Sequence, residues 1–346
     1  VIDPRDIRLK TLPELQKIVA DMGEPAFRAK QLQEWLWKKQ ANSFEEMSNL
    51  SKGLRTSLEQ SYDLNKVTVY KKQKSNDGTI KFGFKLADGN LVEGVLIPSL
   101  KRVTACVSSQ VGCSLTCKFC ATGYMDLKRN LLPYEIYDQV SLIQEEAIAM
   151  HGRTLSNIVY MGMGEPLLNF KNVVDSIRKI TGPEGMAMAP KRITVSTAGI
   201  AKMIMKYADE GLKTEFALSL HAANDEKRSK IMPINEHNDL PSLIEALKYF
   251  YEKTGTRITY EYLLFEGFND SLEDAKELYE FWKIVPAKIN IIEYNPISMA
   301  TFKNTDAGHL ERFIALLENR GVVVNVRRSR GKDVDAACGQ LAIKEA

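Results

Sequence analysis

From residue 103 onward the sequence repeats one rhythm, a short apolar run rich in β-branched residues followed by a stretch with helical periodicity. Candidate strands are "VTACVSS" (103–109), "NIVYMGM" (157–163), "RITVST" (192–197), "TEFALSLH" (214–221), "RITYEYLLF" (257–265) and "KINIIEY" (288–294). Helical patterns at 134–150, 170–180, 241–253, 271–283 and 307–320 separate most of them, and "VVVNVR" at 322–327 adds a late strand. Strand and helix in alternation predict a parallel sheet in an α/β fold. So many units in about 230 residues predict an open or closed βα barrel. Chemistry in that architecture gathers at the C-terminal strand ends. The glycine-rich or polar stretches "GMGEP", "STAG", "SLH" and "YNP" fall there.

Two modules of different rhythm precede the barrel. Residues 1–62 read as helical: "TLPELQKIVADMG" has Thr11 as a cap, Pro13 in the first turn and Gly23 as a stop. Phe27, Leu32, Trp35 and Leu36 then recur at helical spacing, and "SFEEMSNLSKGLRTSLEQSY" predicts a third and a fourth short helix. Between 63 and 100 the period falls to two. "KVTVYKKQK", "TIKFGFKLADG" and "NLVEGVLIP", with turn signals at "SNDG" and "ADGN", predict a three-stranded antiparallel meander. The barrel is expected over 101–346.

The net charge of the 346-residue chain is only +3, but its distribution is uneven. Basic residues dominate between Lys66 and Arg129, and "VRRSRGK" (326–332) forms a second cluster. Each alone suits a solvated face; together they admit an anionic polymer as substrate. No apolar run approaches the roughly 18 residues that cross a bilayer, so no membrane partner is expected. "VIDPRDIRLKTLPELQ" lacks the apolar core of a secretion signal, and a cytoplasmic location is the expectation.

The five cysteines are Cys106, Cys113, Cys117, Cys120 and Cys338. An odd number in a reducing compartment points to metal binding or catalysis rather than disulfides. Cys113, Cys117 and Cys120 stand in "CSLTCKFC", directly after the first barrel strand. Zinc would want four nitrogen or sulfur ligands, usually from two separated pairs, with His221 or Cys106 completing the set. A 4Fe-4S cluster instead needs three thiolates when its fourth iron is left open for a small molecule. The C-x3-C-x2-C spacing in this place resembles the radical S-adenosylmethionine (SAM) superfamily, in which the open iron binds the amino and carboxylate groups of SAM.

Residues at the other strand ends are candidate SAM contacts. Gly164 lets backbone approach a ligand and Glu165 can accept hydrogen bonds from an ammonium group. Ser196, then Ser219, Leu220 and His221 of "SLH", and Asn295 of "YNP" offer groups suited to ribose, carboxylate or adenine, although each also suits a turn or cap. Cys338, between Ala and Gly in "DVDAACGQL", reads as a loop thiol open to reaction, while Cys106 inside a strand also fits a buried structural cysteine.

The cysteine triad together with "RNL" (129–131), "MGMGEPLLN", "STAG", "SLH", "MPIN" (232–235), "YNP", "DVDAACGQL" and the N-terminal "GEPAFRAKQ" resembles the RlmN/Cfr family of radical SAM RNA adenine methyltransferases. The resemblance spans nearly the whole chain. It implies a partial (βα)6 barrel, an N-terminal accessory domain of helix-hairpin-helix type and a small antiparallel β extension. It implies one 4Fe-4S cluster on Cys113, Cys117 and Cys120, and two SAM molecules per turnover. In the family's scheme Cys338 accepts a methyl from one SAM. A radical made from the second SAM activates that methyl, which adds to an electron-poor adenine carbon. Cys106 resolves the resulting protein–RNA adduct through a transient disulfide, with Glu93 of "LVEGVLIP" as proton acceptor. Pro166 and "GEPAFRAKQ" fit the RlmN branch, which acts at adenine position 2 of 23S ribosomal RNA, before full ribosome assembly, and of some tRNAs. The Cfr branch acts at position 8. An external electron donor such as flavodoxin or ferredoxin is a further implied partner. The alternative of another class is a zinc-stabilised RNA-binding protein without enzymatic activity.

Overall fold

The computed structural model describes residues 3–285 and 287–343. Three helices open the chain: α1 (Leu12–Asp21), α2 (Arg28–Trp37) and α3 (Lys52–Ser61). Thr11 caps α1 in a reciprocal pair with Glu14, the Thr11 N–H donating to Glu14 Oε2 at 2.6 Å, and Gly23 ends it at φ +78°. The stretch 42–50, where a further helix is expected, consists of turns and bends. Phe44, Met47 and Leu50 are nevertheless buried, so this segment packs its apolar side chains without helical hydrogen bonding.

Ten strands then form one sheet. The meander β1 (Thr68–Lys74), β2 (Ile80–Lys85) and β3 (Leu91–Pro98) runs antiparallel into β4 (Val103–Cys106). A two-residue ladder, β5 (Gln110–Val111) with β6 (Arg129–Asn130), brackets the cysteine loop. From β4 the sheet continues in parallel through β7 (Asn157–Tyr160), β8 (Ile193–Thr197), β9 (Glu215–Ser219), β10 (Ile258–Leu263), β11 (Ala287–Ile292) and β12 (Val324–Arg327). The spatial order of these parallel strands is their order in the chain, as βα units wound in one direction require. The connecting helices are α4 (Pro133–His151), α5 (Phe170–Thr181), α6 (Ala201–Asp209), α7 (Asp225–Ile231), α8 (Leu240–Thr254), α9 (Leu272–Trp282) and α10 (Ala307–Glu318).

The fold is thus an α/β partial barrel with an N-terminal helical region, as the resemblance implies. Two features differ in detail from the sequence expectation. The meander is continuous with the barrel sheet: β3 pairs with β4 in the register Val95↔Cys106, which places both side chains on one face. Five of the parallel strands also stop two or three residues short at their C-terminal ends, because the residues beyond them turn into the site, while β8 and β12 end where expected. No helix among the described residues is long and apolar enough to cross a membrane.

The helical module is locked to the barrel by a buried charge. Arg8 Nη1 lies 2.7 Å from Asp138 Oδ2 on α4, and the same carboxylate oxygen accepts the Val67 N–H at 3.1 Å. The guanidinium rests against the faces of Trp37 and Tyr134, each 4.9 Å away. Replacing one partner of such a pair leaves an uncompensated buried charge. Asp138→Ala is therefore expected to lower stability by about 3–5 kcal/mol in urea unfolding; wild-type stability would show that the pair does not hold the module.

Candidate active site

The C-terminal ends of the parallel strands surround a cavity with about 1020 Å³ of empty space, part of it open to solvent. Cys113, Cys117, Cys120 and Cys338 all line it. Gly164, Glu165, Ser196, Ser219 and His221 line the remainder. Leu220 is not in the wall: its side chain is wholly buried in the core and its N–H donates to Glu261 O at 3.0 Å. Asn295 lies just behind the wall, where its Nδ2 donates to Cys338 O at 3.2 Å. Its buried Oδ1 has no protein partner among the described residues.

The cysteine loop is built by short local bonds. Cys120 N–H donates to Cys117 O at 3.3 Å, Gly123 N–H to Cys120 O at 2.9 Å, and Lys118 N–H reaches across to Ile231 O at 2.9 Å. An apolar cluster of Leu115, Phe119, Ile231, Met232, Leu263 and Phe265 packs against the three cysteines. Burial drives all three thiols upward, Cys113 to about 11, and Cys117 is raised further by its two cysteine neighbours. Without a cationic centre these sulfurs keep their protons at neutral pH; a metal site must displace them.

Glu165 organises the opposite side. Its Oε1 accepts the Leu167 N–H at 3.0 Å and its Oε2 the Ala198 N–H at 2.8 Å, tying the β7 and β8 loops together. Its own N–H donates to Gln110 Oε1 at 2.8 Å. Gly164 has φ +91°, and a β-carbon there would meet the Gln110 side chain at 2.4 Å, so only glycine lets the loop close this tightly. Burial raises the Glu165 carboxyl, and an incoming ammonium would reverse that effect. His221 Nδ1 accepts the Leu263 N–H at 3.1 Å, and burial lowers its pKa to about 3. The imidazole is therefore neutral, with its other nitrogen left as donor, and it meets Phe119 edge-on at 4.7 Å.

Cys338 is brought to this wall by a C-terminal segment clamped onto the cysteine loop. Ala121 N–H donates to Gly339 O at 2.7 Å and Thr122 Oγ1 to Leu341 O at 2.6 Å, one bond on each side of residue 340. Glu93 Oε2 accepts the Ala342 N–H at 2.9 Å, while its Oε1 pairs with Lys81 Nζ at 2.9 Å. Glu93 is thus buried rather than an outward-facing strand carboxylate, and burial raises its pKa against the pull of Lys81.

A second cavity adjoins the first and shares Met161, Ile292, Arg327 and Cys338 with it. Cys106 lines the second cavity but not the first, together with Ser329 and the guanidinium groups of Arg327, Arg328 and Arg330. No carboxylate is among its lining residues. Cys338, exposed to solvent, stands in the partition between the two spaces. Arg327 is held there by Glu261, at 3.3 Å, a buried acid inside β10. Its positive charge opposes the upward pull of burial on Cys106 and of the surrounding protein on Cys338, whose exposed surface faces the two cavities. Arg327 and Glu261 were not singled out from the sequence, although a lone acid in the apolar strand "RITYEYLLF" was a signal.

The profile of the Radical SAM superfamily matches residues 107–281, and that of the ribosomal RNA large subunit methyltransferase N-terminal domain matches residues 8–64. A protein from Cytophaga hutchinsonii named "probable dual-specificity RNA methyltransferase RlmN" is 62% identical over 99% of this chain and 94% of its own length. The chain belongs to the RlmN family of radical SAM RNA methyltransferases. A relative of the same name from Christiangramia forsetii is 52% identical over 99% of this chain and 97% of its own. The crystal structure of a radical SAM methyltransferase from Sphaerobacter thermophilus, 40% identical, superposes with a TM-score of 0.91 over 98% of this chain and 99% of that one.

An RlmN-family protein uses a 4Fe-4S cluster and SAM, and the residues here suit both. Among the described residues no three or more His, Cys, Asp or Glu side chains are grouped so as to hold a single metal ion. The three thiols line the cavity without forming such a group. A cubane spreads its thiolates over separate irons, which suits that arrangement better than one tetrahedral zinc does. The zinc-stabilised, non-enzymatic alternative gives way to the family assignment. Glu165 provides the sharpest test of the SAM side. Glu165→Ala unpairs two buried N–H groups and removes the acceptor for an ammonium. It is expected to weaken SAM binding to the reconstituted protein by about ten- to a hundredfold with iron content unchanged; equal affinity would remove Glu165 from the site.

Proposed function

We propose that this chain methylates carbon 2 of a specific adenine in 23S ribosomal RNA and in tRNA, and that Cys338 carries the methyl group between the two cavities. The observation behind this reading is the position of Cys338 on the lining of both cavities, with the cysteine triad in one, Cys106, Arg328 and Arg330 in the other, and Arg327 bordering both. The RlmN relatives' "dual-specificity" name supports two RNA classes, and Pro166 in "GMGEPLLN" favours carbon 2 over carbon 8. When bound, the cluster, on Cys113, Cys117 and Cys120, supplies the reducing electron, and SAM supplies both the methyl group and the means of removing a hydrogen from it.

The chain's own residues supply the rest. An adenine carbon between two ring nitrogens is electron-poor, so it does not attack an electrophilic methyl, and the carbon must arrive on a carrier. Cys338 becomes that carrier by losing its proton and forming a carbon–sulfur bond as the sulfonium–methyl bond of SAM breaks and S-adenosylhomocysteine leaves, favoured by the Arg327 charge beside it. Once its carbon is joined to the base, protein and RNA are one covalent species. Glu93 then takes the proton from the adenine carbon. It lies on β3 two residues from Val95, the register partner of Cys106, and so faces the same side of the sheet as that thiol. Its burial, which makes it more basic than a surface carboxylate, suits this task.

Cys106 closes the cycle by attacking the sulfur of Cys338. The bond from that sulfur to the transferred carbon breaks with its electron pair left on the carbon, which takes up a proton to complete the methyl group; the methylated base leaves, and a Cys106–Cys338 disulfide remains. Two electrons and two protons from an external donor, of the flavodoxin or ferredoxin kind, restore the thiols. The guanidinium groups of Arg328 and Arg330 suit the phosphates flanking an everted base, and the apolar Ile97, Met161, Ile292 and Leu341 suit the base itself. The exposed Tyr70 and the lysines of β1 offer a wider grip on RNA, acting before the ribosome is fully assembled and in the cytoplasm.

Two variants test the division of labour between the thiols. Cys338→Ala is expected to abolish methylation and to form no RNA-linked protein. Cys106→Ala is expected to retain the first half of the cycle and accumulate the covalent adduct, seen as a slow band on a denaturing gel. Full activity of Cys338→Ala would remove the carrier, and absence of the adduct in Cys106→Ala would remove the resolving role.

A further inference from the structure

Arg228, in α7, has no solvent exposure, and its four recorded hydrogen bonds all go to neutral acceptors. Its Nε donates to Leu220 O at 3.1 Å and its Nη1 to Asn235 Oδ1 at 2.6 Å. Its Nη2 donates to Ala198 O and, at 3.3 Å, to Ser219 O. No carboxylate lies within ion-pair distance of it among the described residues. Arg8, the other fully buried arginine side chain, sits 2.7 Å from Asp138. Asp225 reaches Arg228 only through an intermediary: Asn235 Nδ2 donates to Asp225 Oδ1 at 2.8 Å while its Oδ1 takes the guanidinium. This relay accounts for the final residue of "MPIN". Gly199, at φ +99°, makes room for the group, since a β-carbon there would stand 3.1 Å from Nη2.

A buried cation without a counter-ion is costly, and carbonyl dipoles compensate only part of the lost hydration. Burial lowers its pKa to about 10, which still leaves it charged at neutral pH. The surroundings show where the missing negative charge belongs. The helix carrying Arg228 ends at Ile231, whose carbonyl accepts the Lys118 N–H from inside the cysteine loop at 2.9 Å. Ile231 and Met232 pack in the same cluster as Cys113, Cys117 and Cys120.

We infer that Arg228 is the internal countercharge of the cysteine-held cluster and a positioning residue for the β8 and β9 loops, setting how readily the cluster accepts its electron. The inference rests on the radical SAM reading of the triad. Reduction adds a negative charge to the cluster, and a fixed cation behind the loop stabilises the reduced form more than the oxidised one. The same guanidinium grips the carbonyls of Ala198 and Ser219, so charge and loop geometry depend on one side chain.

The test is a redox titration of the reconstituted holoprotein followed by electron paramagnetic resonance, with iron content measured alongside. Arg228→Gln is expected to lower the reduced-to-oxidised ratio at a given potential by about tenfold, or about 59 mV for one electron. Arg228→Lys, which keeps the charge, is expected to stay within about twofold of the wild type. A Gln variant that titrates like the wild type overturns the inference, as does a Lys variant displaced as far as Gln. If Gln holds no iron, retention of iron and of the wild-type potential by Lys supports the inference, and loss of iron from both variants overturns it. A wild-type protein that forms no four-iron cluster would instead refute the reading of the triad, before Arg228 is reached.

Discussion

Two hydrogen bonds, from Ala121 N–H to Gly339 O and from Thr122 Oγ1 to Leu341 O, hold the C-terminal segment against the cysteine loop. The rest of the site depends on them. Cys338 is more than 200 residues from the triad in sequence, yet these bonds and the one from Asn295 fix its backbone at the rim of the cavity. Glu93 holds the far end of the same segment through Ala342, and Lys81 binds both Glu93 and Asp335 O. The meander is therefore part of the site's scaffold. Its continuity with β4 is what lets a residue of β3 reach a residue of the C-terminal segment.

Charge is divided across the partition that Cys338 occupies. On the triad side the walls are thiols, neutral hydroxyls and a neutral imidazole, with Glu165 and Glu261 as the acids, Arg327 on the shared edge and Arg228 hidden behind the loop. The other side has three guanidinium groups and no carboxylate in its lining. Such a contrast suits a carrier that collects its cargo in a low-dielectric pocket and delivers it to a polyanion. Arg327, anchored by Glu261, touches both spaces and meets both thiols of the cycle.

Much of this was legible in the sequence. The cysteine spacing, the polar endings of the apolar strands and the caps at Thr11 and Gly23 are local signals, and local chemistry decides them. Other features are set by tertiary contacts that leave little mark on periodicity. Helices α6 and α7 are short and are not among the helical patterns expected from the sequence, and nothing in "DEKRSK" marks Arg228 as fully buried. Leu220 reads with its neighbours Ser219 and His221 as a ligand contact, but it lies one residue past β9 with its side chain in the core. The buried side of Glu93 could not be read from "LVEGVLIP", because what covers it lies about 250 residues downstream.

The central claim is that the two cavities and the carrier between them deliver a methyl group to adenine. The most direct measurement is mass mapping of methylated adenosines in ribosomal RNA and tRNA from cells lacking the gene and from the same cells expressing it. The account predicts 2-methyladenosine at a defined site in both RNA classes, present only when the gene is expressed. Methylation at carbon 8, or identical maps from both cells, would contradict it.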